Sequence, residues 1–93
     1  MNDFPEGVTV YGGAKLIGTE NITFGSPVLI DDFTLIVARD PVIIGNYVHI
    51  ACFASITGGE RVEIGDFAAV SQGARLLTGT DDVTVRPRNT AAL

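Results

Sequence analysis

Residues 44–63 read IGNYVHIACFASITGGERVE, and the pattern of this stretch recurs through most of the chain. Ile44, Ile50 and Ile56 stand six residues apart, and the next large aliphatic residue in phase, Ile64, follows eight later. Cutting the sequence at 4–23, 24–43, 44–63 and 64–83 aligns four pieces without a gap. The first position of each holds Phe4, Phe24, Ile44 and Ile64. Six residues on come Val10, Ile30, Ile50 and Val70, and six further on Leu16, Ile36, Ile56 and Leu76. Every slot holds Val, Ile, Leu or Phe, residues that make up about a third of the chain, and chance would do this roughly once in a million trials. Two six-residue rungs and one of eight, each with one large aliphatic residue, predict an all-β solenoid, the parallel β-helix.

A second apolar column supports the same reading. Two residues before the large ones stand Val8, Val28, Val48 and Ala68 on the first side, and Ala14, Thr34, Ala54 and Ala74 on the second. The third side has Ile22, Val42 and Val62. Residues i and i+2 share one face of a strand, so each rung sends a small or branched residue and a large one inward, with one outward residue between. Gly25-Ser26, Gly45-Asn46 and Gly65-Asp66 recur at one corner. Gly and Asn tolerate left-handed backbone angles there, and Asp and Ser support turns. The two extra residues per coil fall at Glu20-Asn21, Asp40-Pro41 and Glu60-Arg61. This widened corner is expected to stack Glu20, Asp40 and Glu60 about 4.8 Å apart, with Arg39 and Arg61 beside them to offset part of the charge; a solvated acidic ridge is the favoured reading over a cation site, since calcium wants more oxygen ligands in one loop.

The domain expectation is one β-helix over 1–83, with 84–93 as a cap, an arm onto a neighbour or a disordered tail. In the unbroken period Asp82 falls in the third inward column, and Thr84 and Thr90 fall in large-aliphatic slots. None suits an apolar core, since an unpaired buried carboxylate is costly. The tail Arg86-Pro87-Arg88-Asn89 carries Pro and charge, which blunt a sheet edge. A narrow four-coil core is marginal, and the ends of a solenoid expose unpaired backbone. Outward Leu29 and Leu35 suit side-by-side packing, so oligomerisation is expected.

Composition narrows the function classes. Eleven acidic residues against six Lys and Arg give a net charge of −5, a poor balance for binding nucleic acid. No apolar run reaches the length of a membrane span, and no basic start precedes an apolar block as in a signal peptide. The single cysteine, Cys52, forms no internal disulfide, which favours the cytoplasm.

The stretch Ile44–Ala51, then Gly58-Gly59 through Ile64-Gly65-Asp66-Phe67, then Thr78-Gly79-Thr80-Asp81-Asp82, resembles hexapeptide-repeat acetyltransferases. The likeness is greatest to bacterial sugar O-acetyltransferases of the galactoside and capsule or lipopolysaccharide type. It covers coils three and four by residues and coils one and two by pattern. The resemblance implies a left-handed winding, a homotrimer, and transfer of acetyl from acetyl-CoA to a sugar hydroxyl in a groove between subunits. It also implies a His general base, a role suited to a group that titrates near neutrality, backbone N–H groups around the thioester oxygen, and no metal. The chain departs from the family twice. Asp81 stands where many members carry the catalytic His, and the chain stops where members continue for several coils.

The only histidine, His49, lies between inward Val48 and Ile50 and therefore points outward at the centre of a flat side. It is the candidate general base, with packing in a subunit interface as the alternative. Asp81 and Asp82 are candidates for orienting a His or contacting the acceptor, or form a solvated turn. Ser55 and Arg75 share an outward column with Lys15 and Leu35, and are weaker candidates for binding the cofactor acetyl-CoA. Tyr47, Phe67 and Cys52 sit at corners, where packing accounts for them. Two other functions stay open. One is a truncated trimeric scaffold without a CoA site. The other is a metal-dependent hydratase like the γ-type carbonic anhydrases, which would need three His ligands.

Overall fold

The computed structural model describes residues 4–58, 60–78 and 83–85. Coil one contributes β1 (Val8–Val10), β2 (Lys15–Ile17) and β3 (Ile22–Phe24), with a single 3₁₀ turn, Thr19–Asn21, at its widened corner. Coil two contributes β4 (Val28–Ile30), β5 (Leu35–Val37) and β6 (Val42–Ile44). Coil three contributes β7 (Val48–Ile50), β8 (Ser55–Gly58) and β9 (Val62–Ile64). Beyond it lie β10 (Ala69–Val70), β11 (Arg75–Thr78) and β12 (Val83–Val85). The strands form three parallel four-stranded sheets, β1-β4-β7-β10, β2-β5-β8-β11 and β3-β6-β9-β12. The chain is a left-handed parallel β-helix, and the three sheets are its three flat sides.

The register is that of the repeat. Val8 pairs with Val28 and Val28 with Val48, Leu16 with Ile36 and Ile36 with Ile56, Ile22 with Val42 and Val42 with Val62. The inward columns meet on the axis, where Ile30, Ile36, Ile44, Ile50, Ile56 and Ile64 are buried. Each such side chain contributes about 1.5–3 kcal/mol by leaving water. Thr34 is the one polar residue of this core among the described residues, and its hydroxyl donates to the Ala51 carbonyl at 3.2 Å. Parallel strands this short need help at their corners, and side chains supply it, as Asn21 does by donating from Nδ2 to the Ala38 carbonyl at 2.8 Å. Asp32 Oδ1 accepts from Gly13 N at 2.8 Å, Asn46 Oδ1 from Ser26 N at 2.9 Å, and Asp66 Oδ1 from Asn46 N at 2.7 Å. Each ties one coil to the coil before it.

Two expectations change. Gly25, Gly45 and Asn46 do not take left-handed angles; the turn falls one residue later, at Tyr47 (φ 59°) and Phe67 (φ 63°). Phe33 (φ 63°) and Phe53 (φ 64°) do the same at the next corner. Gly45 is glycine because coils stack tightly there. A Cβ on it would lie 2.8 Å from Asp66 N and closer still to Asp66 Oδ1. The second change is in the last rung. Val83 pairs with Val62 and Val85 with Ile64, so the fourth coil is one residue longer than the 20-residue period. The extra residue falls between Thr78, which pairs with Gly58, and Val83. By register Val83 and Val85 stand at the positions where the unbroken period puts Asp82 and Thr84. β12 therefore runs across the expected 83/84 boundary.

Candidate functional site

His49 sits at the middle of β7 on side one, and its neighbours Val48 and Ile50 are buried, which turns its imidazole to solvent. Its register partner on β4 is Leu29. Two residues past Leu29, on the same outward face, the chain turns the corner at Asp31. Diagonal neighbours of this kind lie within reach of long side chains. His49 Nε2 and Asp31 Oδ2 are 2.9 Å apart, with side-chain exposures of 49% and 26%. A carboxylate accepts only, so in the neutral imidazole Nε2 carries the shared hydrogen and Nδ1 keeps the free lone pair. The dyad thus sets the tautomer and the ring orientation, and presents a basic nitrogen at the surface.

Beside it lies a shallow depression of about 300 Å³ lined by Gly7, Thr9, Pro27, Leu29, Tyr47 and His49. Its relief comes from one corner column that changes size from coil to coil: Gly7, Pro27, Tyr47, Phe67. Tyr47 is 60% exposed, and its ring stacks on that of Phe67, with centroids 5.0 Å apart and planes 4° from parallel. A second exposed pair, Phe33 and Phe53, stacks at 5.3 Å on the corner before side two.

The other candidates lie apart from this site. Ser55 and Arg75 are register neighbours on β8 and β11, hence on side two. Asp81 and Asp82 lie outside the described residues. Cys52 is free and half-buried at a corner. On side three Arg61 Nε donates to Glu63 Oε2 at 3.0 Å, and its Nη2 reaches the same oxygen. Among the described residues no group of three or more His, Cys, Asp and Glu side chains converges as a metal site, and no helix is long and apolar enough to cross a membrane.

Sequence reasoning found His49 and missed Asp31. The two are 18 residues apart, off the 20-residue period, so no column contains both. The signal that would have found Asp31 is the diagonal rule applied to outward residues rather than inward ones. Packing at a corner does not by itself account for Tyr47, which stands on the wall of the depression that His49 lines. Comparisons of the chain with protein-family profiles, with curated proteins and with solved structures find no match.

Proposed function

We propose that the protein is an acetyl-CoA-dependent O-acetyltransferase with His49 as general base, acting on a hydroxyl of a sugar or similar small molecule. The observation that carries this reading is the His49–Asp31 pair, 2.9 Å apart at the lip of a depression. Nδ1 of His49 takes the proton of the acceptor hydroxyl as its oxygen attacks the thioester carbonyl. The C–S bond breaks, and the proton passes from the imidazolium to the departing CoA thiolate. Asp31 stabilises the imidazolium in between. The products are the acetyl ester and free CoA, and no net proton is consumed.

In the same proposal the working form is a homotrimer. Ile17, Leu35, Val37 and Leu77 place apolar side chains on the outward face of side two, interleaved with Lys15, Ser55, Thr57 and Arg75, a mixed surface that another copy could pack against. A reducing, cytoplasmic compartment suits the free Cys52. The test is release of CoA from acetyl-CoA in the presence of a sugar panel, by wild type and by His49→Ala. The substitution should lower turnover by about 10²–10⁴-fold, the range of a lost general base. Unchanged turnover would place the base elsewhere. Saturating acetyl-CoA should also raise the melting midpoint, since a ligand at a hundred times its Kd stabilises by about 2.7 kcal/mol. No shift, with an intact trimer, would favour the scaffold reading.

A further inference from the structure

Four described corners turn at an aromatic residue with positive φ, Phe33, Tyr47, Phe53 and Phe67, and of these Tyr47 lines the depression that His49 lines. At the equivalent position of coil one, Gly7 makes the turn at φ 86°, and Gly73 makes that of the neighbouring corner at φ 74°. A non-glycine residue in this region carries a backbone cost, and such residues cluster where a ligand is held. Tyr47 accepts that cost at φ 59° while leaving its ring mostly in solvent. Phe67 covers one face of the ring. The other face looks towards coil two, where Pro27 and then Gly7 continue the column and line the depression.

The geometry points to Tyr47, braced by Phe67, as the specificity-determining platform of the acceptor site, one that selects an uncharged hydroxylated ring over an acyclic hydroxyl. This rests on the His49 reading for the fate of the hydroxyl. The ring requirement comes from the wall itself. An aromatic face and the apolar Pro27 and Leu29 favour a ligand with a flat C–H face. Among the described lining residues the polar side chains are His49, Thr9 and Tyr47 itself, and the first two lie on the outward face beside the platform. The absence of charge follows from the lining. Among the described residues no Lys or Arg lines the depression, and the Asp31 carboxylate next to His49 disfavours an anion.

The test compares ring probes, methyl galactoside and methyl glucoside, with glycerol as acyclic acceptor. It uses wild type, Tyr47→Asn and His49→Ala. Asn is chosen because it adopts left-handed angles, and Tyr47→Gly replaces it if that variant does not fold. Tyr47→Asn should raise KM for the rings roughly tenfold, leave kcat within about threefold, and leave KM for glycerol unchanged. A purely structural role for Tyr47 would move stability and leave the ring-to-glycerol ratio where it was, and that result overturns the platform. Saturation-transfer NMR of methyl galactoside separates this failure from failure of the catalytic reading. Ring binding that Tyr47→Asn abolishes, without turnover in wild type, keeps the platform and overturns acetyl transfer. No ring binding to wild type overturns the platform, whatever His49 does.

Discussion

The inner and outer faces of β4 and β7 obey different rules. Inward, the two strands repeat one another: Val28 and Ile30, then Val48 and Ile50, all four buried. Outward, the same rungs carry Leu29 and Asp31, then His49 and Ala51, with nothing in common. Burial imposes one chemistry on every coil, because each inward position meets the same surroundings above and below. Solvent imposes none. The solenoid therefore reserves its outer face for residues that need not repeat, and the candidate site is built there from a diagonal pair and a corner. A repeat protein can keep its core and change its site one outward residue at a time.

The largest effect expected from this contrast comes from adjacent residues. Ile50→Asp puts a carboxylate at a position with 0% exposure, among isoleucines and valines that offer its oxygens no side-chain donor. An unpaired buried charge costs more than most small domains can lose. The variant should be unfolded or insoluble. His49→Ala, one residue away, should keep the far-ultraviolet circular dichroism and melt within a few degrees of wild type. A folded, soluble Ile50→Asp would break the inside–outside contrast at its centre.

The corners test a second form of it. Gly45→Ala drives a Cβ into Asp66 of the next coil, where the backbone itself is the obstacle. Overpacking of this kind costs about 1–3 kcal/mol. At Gly12 a Cβ meets nothing within 4 Å, and its φ is not positive. Gly12→Ala should instead stabilise by about 0.4–1 kcal/mol, by restricting the unfolded chain. Urea midpoints of the two variants should move in opposite directions. Movement in the same direction would mean that coil spacing is looser at the first corner than the Gly45 contacts imply.

What the sequence made legible follows the same division. The twelve large slots and the second inward column could be read because burial repeats them, and the widened corner at Glu20-Asn21 because it is the eight-residue gap left between them. The fourth coil resisted, since a single extra residue before Val83 leaves the local pattern intact and only displaces the phase. The corner chemistry resisted for another reason. Tyr47, Phe67, Phe33 and Phe53 take left-handed angles that their residue types do not advertise. Glycine's usual association with such angles pointed to Gly25 and Gly45, whose role is close approach. His49 stood out as the only histidine. Asp31 is one of eleven acidic residues, and only the diagonal register distinguishes it from Asp32, which staples Gly13 instead.

A smaller effect separates structural carboxylates from the candidate catalytic one. Asp66 Oδ1 accepts from Asn46 N at 2.7 Å and from Asn46 Nδ2 at 3.4 Å. Asp66→Ala removes the acceptor and should cost about 1 kcal/mol in denaturant melts. The loss should shrink in Asp66→Asn, whose amide oxygen can still accept from Asn46 N. Equal losses in both would mean that charge rather than the hydrogen bond matters at that corner.

The smallest stability effect is expected where the functional effect is large. The Asp31–His49 pair is partly exposed, and exposed ion pairs contribute about 0–1 kcal/mol. Asp31→Ala should therefore melt almost as wild type does. Its imidazole, however, loses the group that fixes Nε2–H and steadies the imidazolium, so kcat should fall by at least about tenfold while KM for acetyl-CoA holds. Asp31→Asn sharpens the point. An amide can orient the ring but carries no charge to stabilise the imidazolium, and its NH₂ can donate to Nε2 and favour the opposite tautomer. It should be no better than alanine. Full turnover in Asp31→Asn would reduce the pair to a spacer and leave His49 to act alone; a large loss of stability in Asp31→Ala would move Asp31 from the outer face's chemistry to the fold's own staples, beside Asp32 and Asp66.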